Sequence, residues 1–181
     1  MLKSCLLFFA IGYALSGVPA GAQETANWGN TICPPSPNDE TASPDNHWTV
    51  LSTEPDARIW MLDNSTGRRR FLLDCQASIS VGWAPDSKSF FINDHEVSNA
   101  DDAFLYDTST LKVINIGKLL TASDAQYVRY LTAGHHYVDV QRWISPHEAM
   151  VVVSGHFDSP PAESFEFHYS VGLDGKVTKM K

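Results

Sequence analysis

Polar and apolar positions near the end of the chain alternate strictly. Phe165, Phe167, Tyr169 and Val171 are interleaved with Glu166, His168, Ser170 and Gly172. A period of two sends successive side chains to opposite faces, so this stretch predicts a half-buried β-strand. Similar short runs recur from Trp48 onward: "WTVLS", "RIWMLD", "RRFLLD", "KSFFIND", "AFLYD", "LKVINI", "YVDVQRW", "AMVVVSG" and "KVTKM". They are rich in the β-branched and aromatic residues that suit a pleated surface. Only Gly117–Leu131 has a loosely helical rhythm, through Leu119, Leu120, Tyr127, Val128 and Leu131, with Ser123-Asp124 as a break or cap.

Three of these runs follow the same kind of turn. "ASPDNHWTVLS" from Ala42, "WAPDSKSFFIN" from Trp83 and "ISPHEAMVVVS" from Ile144 each place a proline six residues before an apolar position. The prolines are Pro44, Pro85 and Pro146, and the apolar positions are Val50, Phe91 and Val152. Proline presets φ at a turn, and Asp45 and Asp86 can bind nearby backbone amides. The prolines are 41 and 61 residues apart, the second interval being lengthened by an insertion over 119–139. A period in the forties with several strands per unit is the signature of propeller blades.

These turns, with "RIWMLDNSTGRRRFLL" and "AFLYDTSTLKVI" after them, resemble the TolB-type, WD-like propeller repeat over about residues 42–118, and more loosely over 140–181. The resemblance implies an all-β fold of about three antiparallel blade-like units, spanning about 42–80, 81–118 and 140–181. The turn glycine of that repeat is replaced here by Asn46, Ser87 and Glu148, and the aspartate of the third turn by His147. Closed propellers use about four to eight blades. Three units therefore predict a partial propeller, capped by the insertion and the segment before the first unit, with a homodimer of two half-rings as the second arrangement.

Composition sets the compartment. Lys3, the apolar stretch Leu6–Leu15 and the small-residue site Ala20-Gly21-Ala22 read as a secretory signal over 1–22, with a mature start near Gln23. A Pro-rich arm follows over 23–41, and the domain over 42–181. The protein is expected to be periplasmic or secreted and not membrane-spanning. The net charge of −8 excludes a nucleic-acid-wrapping surface. Beyond the leader only Cys33 and Cys75 remain, and an even pair in an exported chain predicts one disulfide. Closing a loop of roughly 40 residues is worth on the order of 4 kcal/mol.

Candidate chemistry is sparse. His135 or His136, if brought beside His156 and Asp158, would make a metal or acid–base site. Consecutive residues of a strand point to opposite faces, so His135 and His136 cannot share one ion. Ser154, His156 and Asp158 are the residue types of a hydrolytic triad, without a G-x-S-x-G elbow. The acidic run Asn93–Asp102 lacks EF-hand spacing and reads as a solvated strand connection. No catalytic set is complete and no cofactor is expected. The sequence predicts a non-enzymatic binding or scaffold module for a protein or peptide; the alternatives are a metal-binding protein or hydrolase using the His/Asp residues, and a small inhibitor of a secreted enzyme.

Overall fold

The fold is given by a computed structural model that describes residues 30–32, 39–53, 57–159 and 163–181. The expected leader and most of the arm, including Cys33, lie outside the described residues. Among the described residues no helix is long and apolar enough to cross a membrane.

The described chain is all-β apart from one short helix and a 3-10 turn. After β1 (Asn30–Ile32), twelve strands fall into three sets of four. The first set is β2 (Glu40–Ala42), β3 (Trp48–Thr53), β4 (Arg58–Asp63) and β5 (Arg69–Asp74). The second is β6 (Ser78–Trp83), β7 (Ser89–Val97), β8 (Ala100–Asp107) and β9 (Val113–Asn115). The third is β10 (His135–Ser145), β11 (Glu148–His156), β12 (Ser164–Gly172) and β13 (Val177–Lys179). Each set is an antiparallel meander, the strand order of a propeller blade.

The three expected units form two hydrogen-bonded sheets. β9 pairs only with Phe104–Tyr106 of β8, leaving the start of β8 open. The first residues of β10 fill that gap through a parallel bridge between His136 and Ala100. The second and third units therefore share one sheet, while β2–β5 form their own. β10 begins at His135, within the segment expected to be an insertion. The leading strands β2 and β6 precede the proline turns, so Phe90–Ile92 belong to the second strand of their unit.

Pro44-Asp45 and Pro85-Asp86 sit in the turns that follow β2 and β6. Asn46 and Ser87 adopt φ of 59° and 63°, the left-handed region that a glycine would occupy without strain. Asp45 and Asp86 each accept from the backbone N–H two residues on. Pro146-His147 make a two-residue turn between β10 and β11 with positive φ at neither residue. The units are also tied by a recurrent bond: Trp83 Nε1 donates to Thr41 O (3.3 Å), and Trp143 Nε1 donates to Gly82 O (3.0 Å). Thr41 and Gly82 occupy the same place, three residues before the turn proline.

The middle unit is buried on both faces, as period two demands. Phe90 and Ile92 join Val50, Ile59, Met61, Ile79, Val81 and Trp83 in a core against the first unit. Phe91 points the other way, into a core with Leu105, Val138, Val140, Val151 and Tyr169. Asn93 crosses that second interface: its Oδ1 accepts from Val140 N–H (2.8 Å) and its Nδ2 donates to Val140 O (3.0 Å). The register of β10 shifts just after Val140, and the asparagine side chain supplies both bonds.

The helical segment is split. Helix α1 (Ile116–Ser123) is capped by Asn115 Oδ1, which accepts from Lys118 N–H, and a 3-10 turn follows over Tyr127–Thr132. Ile116, Leu120 and Tyr127 are fully buried in the core between the second and third units. The insertion is thus a wedge between two units, not a cap on an open end. Its large side chains, Leu120 and Tyr127 foremost, fill the space between the two units where the sheet does not.

Candidate functional site

The antiparallel register of β10 and β11 sets His135 directly opposite His156. Their imidazoles stack with centroids 4.1 Å apart and planes 17° from parallel. Asp158, just past β11, brings Oδ1 to 3.8 Å from His135 Nε2 and 3.7 Å from His156 Nε2. Two glycines allow this approach. An added Cβ at Gly134 would lie 1.7 Å from Asp158 Oδ2, and one at Gly155 would lie 2.0 Å from His135 O. His135 is held by Tyr137, whose hydroxyl is 2.8 Å from Nδ1 and donates to Ser98 O at 3.1 Å. The site is open to solvent, with Asp158 64% exposed.

His136 lies on the other face of β10, as strand geometry requires. It helps line a cavity of about 320 Å³ with Asp102, Asn115, Lys118, Tyr127 and Leu131. His136 Nε2 is 2.9 Å from the buried Tyr127 hydroxyl. Burial lowers the His136 pKa from the ordinary imidazole value, against the opposing charge of Asp102. The folded chain therefore binds fewer protons here than the unfolded chain below about pH 6.5. This contribution to stability is present above that pH and is lost as the pH falls through it. Denaturation between pH 7 and 5, in chelator, should show a shallower loss of stability in His136→Gln than in the parent. Asp101, Asp102, Lys118 and Tyr127 face the same cavity and are common to both proteins.

Ser154 stands two residues before His156 on the same face of β11. Among the described residues no hydrogen bond joins its hydroxyl to either histidine or to Asp158. The residue types of a triad are present without its nucleophile–base contact. The acidic run is no solvated connection: Asn93 and Asp94 are buried in β7, and Asp101 and Asp102 belong to β8. It contributes a second cluster, in which His95 Nδ1 lies 3.0 Å from Asp101 Oδ2 with Asp139 alongside. Burial, and then the charge of Asp101, raises the pKa of Asp139, while His95 opposes this. Sequence reasoning missed Asp139 because its approach depends on the parallel contact of β10 with β8.

Cys75 is buried at the end of β5, where its N–H donates to Ala57 O. Its expected partner Cys33 lies outside the described residues.

The first unit carries a different feature on the face turned away from the core. Leu51, Trp60 and Phe71 form a row across β3, β4 and β5, with Leu62 beside them. Trp60 and Phe71 meet edge to face at 5.6 Å, and Phe71 is 47% exposed. None of the four belongs to either core. Arg69 pairs across from Leu62, and Arg58, which meets Asp74 at 3.5 Å, borders the other end.

No family model matches the sequence. No curated protein matches it. Solved structures similar to it in part include the tricorn protease, at 9% identity and TM-score 0.47, covering 74% of this chain and 13% of that one. TolB from Acinetobacter baumannii is similar at 12% identity and TM-score 0.40, covering 78% of this chain and 31% of that one. Hydrazine synthase from Kuenenia stuttgartiensis is similar at 14% identity and TM-score 0.43, covering 78% and 41%. The chain spans less than half the length of each. The class that its own strand order defines is an all-β stack of propeller-blade-like meanders.

Proposed function

We propose that this chain is an exported, non-enzymatic binding module that recognises a protein partner through the outer face of its first unit. The observation that carries the reading is the row Leu51, Trp60 and Phe71, an apolar face that neither core uses. Phe71 is exposed, with Leu51, Trp60 and Leu62 half-buried beside it; apolar surface of this kind on a folded domain marks an interaction site, and tryptophan with arginine is the composition of interface anchors. The partner is a protein with an apolar patch bordered by carboxylates. Arg58, Arg68, Arg69 and Arg70 cluster on this unit of a chain whose net charge is −8, so a second copy meets general repulsion while an acidic rim is attracted locally. Export follows from the leader reading, and with it the Cys33–Cys75 disulfide, which would tether the arm to the end of β5.

The test is retention from an envelope extract by the parent and by a Trp60→Ser/Phe71→Ser variant. These side chains lie outside both cores, so the variant should still unfold in one cooperative transition, at a lower temperature because Trp60 loses its bond to Thr53 and its contact with Phe71. The parent should retain a defined protein that the variant loses, by at least about tenfold if each anchor contributes 1–2 kcal/mol. Equal retention by both removes the assignment. A concentration-dependent dimer in sedimentation, abolished by the same pair of changes, would transfer the face to self-association.

A further inference from the structure

We propose that His135, His156 and Asp158 form a binding site for a divalent transition-metal ion of the zinc class. The proposal is independent of the docking face and rests on the tautomer of His135 and the spacing of the three ligand atoms. The Tyr137 hydroxyl donates its one proton to the Ser98 carbonyl, which can only accept. Its oxygen, 2.8 Å from His135 Nδ1, must therefore accept a proton from that nitrogen. Neutral His135 thus carries its hydrogen on Nδ1 and turns the Nε2 lone pair toward Asp158 Oδ1. This is the arrangement of a metal-ligating histidine, whose other ring nitrogen is fixed by an outer hydrogen bond.

Such an arrangement needs positive charge between the ligand atoms. A proton serves poorly, because 3.7 and 3.8 Å are too long for an N–H···O bond. Protonating both rings would stack two imidazolium cations at a centroid distance of 4.1 Å. A metal ion fits once the stacked rings tilt about their Cβ–Cγ bonds, so that both Nε2 lone pairs meet it; ligands bound tetrahedrally at about 2.0–2.1 Å stand roughly 3.3 Å from one another. All three ligand atoms lie within 4.8 Å of one another. Two imidazole nitrogens and one carboxylate oxygen suit zinc and its neighbours better than calcium or magnesium, and three protein ligands leave one position open. The second cluster differs. His95 Nδ1 and Asp101 Oδ2 stand 3.0 Å apart, close enough for a proton on the ring to satisfy the carboxylate directly without an ion.

The experiment is calorimetric titration of zinc chloride into the purified protein, free of any affinity tag and stripped with chelator. The parent should bind one ion per chain. His156→Ala and Asp158→Asn should each weaken binding by at least about tenfold; Asp158 is exposed enough that its amide preserves the fold. Tyr137→Phe, which removes no ligand, should weaken binding roughly 10–100-fold by releasing the His135 ring. Gly134→Ala should weaken it too, by displacing Asp158. Asp139→Asn and His168→Ala should bind as the parent does, and the metal-free melting temperatures should show every variant folded. Failure of the parent to bind zinc overturns the proposal. So does binding that survives His156→Ala but is lost in Asp139→Asn, which would place the ion at the other cluster.

Discussion

Replacing Asn93 by alanine is expected to destabilise the protein by about 2–6 kcal/mol. Asn93 is 5% exposed and uses both ends of its amide on one backbone unit, accepting from Val140 N–H and donating to Val140 O. A shortened side chain leaves that donor and that acceptor buried without partners, and each such group costs about 1–3 kcal/mol. The loss should fall on the junction of the second and third units. Urea unfolding measures the total. Amide hydrogen exchange locates it, with β10 losing protection before β3 and β4. A change under about 1 kcal/mol would mean that water replaces the amide without penalty.

Phe90→Ala and Phe91→Ala should each cost about 3–5 kcal/mol, the range for removing a fully buried phenylalanine. The two neighbours report on different interfaces. Phe90 lies against Trp83 and Tyr106, each at 4.8 Å, on the side of the first unit. Phe91 lies over Gly82, where an added Cβ would come within 2.2 Å of its ring, and faces Trp143 at 6.3 Å. Phe90→Ala should accelerate exchange in β3 and β4, and Phe91→Ala in β10 and β11. The same pattern from both variants would contradict a middle unit with two separate cores.

The sequence exposed the local part of this fold and concealed the part that depends on register. Arg58–Asp63 and Arg69–Asp74 were readable as strands to the residue, because their apolar runs end at turn residues. Asp63 and Asp107 show why those ends are sharp. Each accepts through Oδ1 from the backbone N–H groups two and three residues on, and Gly67 and Leu111 then take positive φ. β2 and β6 were not readable: Glu40-Thr41-Ala42 lies against prolines, and "SISVGW" shows no clean alternation because the middle unit is buried on both faces.

The site divides in the same way. That His135 and His136 diverge follows from period two alone. That His135 meets His156 is a matter of pairing: the two-residue turn at Pro146-His147 pairs Ser145 with Glu148, and the two register shifts in β10, between Trp143 and Ser145 and between Val140 and Arg142, then bring His156 opposite His135. Asp158 is then placed by a close approach that only glycine at 134 permits. The outer face of the first unit left a trace in the sequence: Trp60 and Leu62 have the opposite parity to Ile59 and Met61. A strand apolar on both faces reads as a buried one, and only the sheet order shows that β2–β5 end the stack.

The functional assignment is tested most directly by a photo-reactive phenylalanine analogue placed at position 71 in cells that export the protein. Irradiation should give a single defined adduct with another protein, while the same analogue at Thr178, on the exposed edge strand of the third unit, should give none. Adducts of equal yield and identity from both positions, or an adduct from position 71 with nothing but a second copy of the chain, would contradict recognition of a protein partner by the outer face of the first unit.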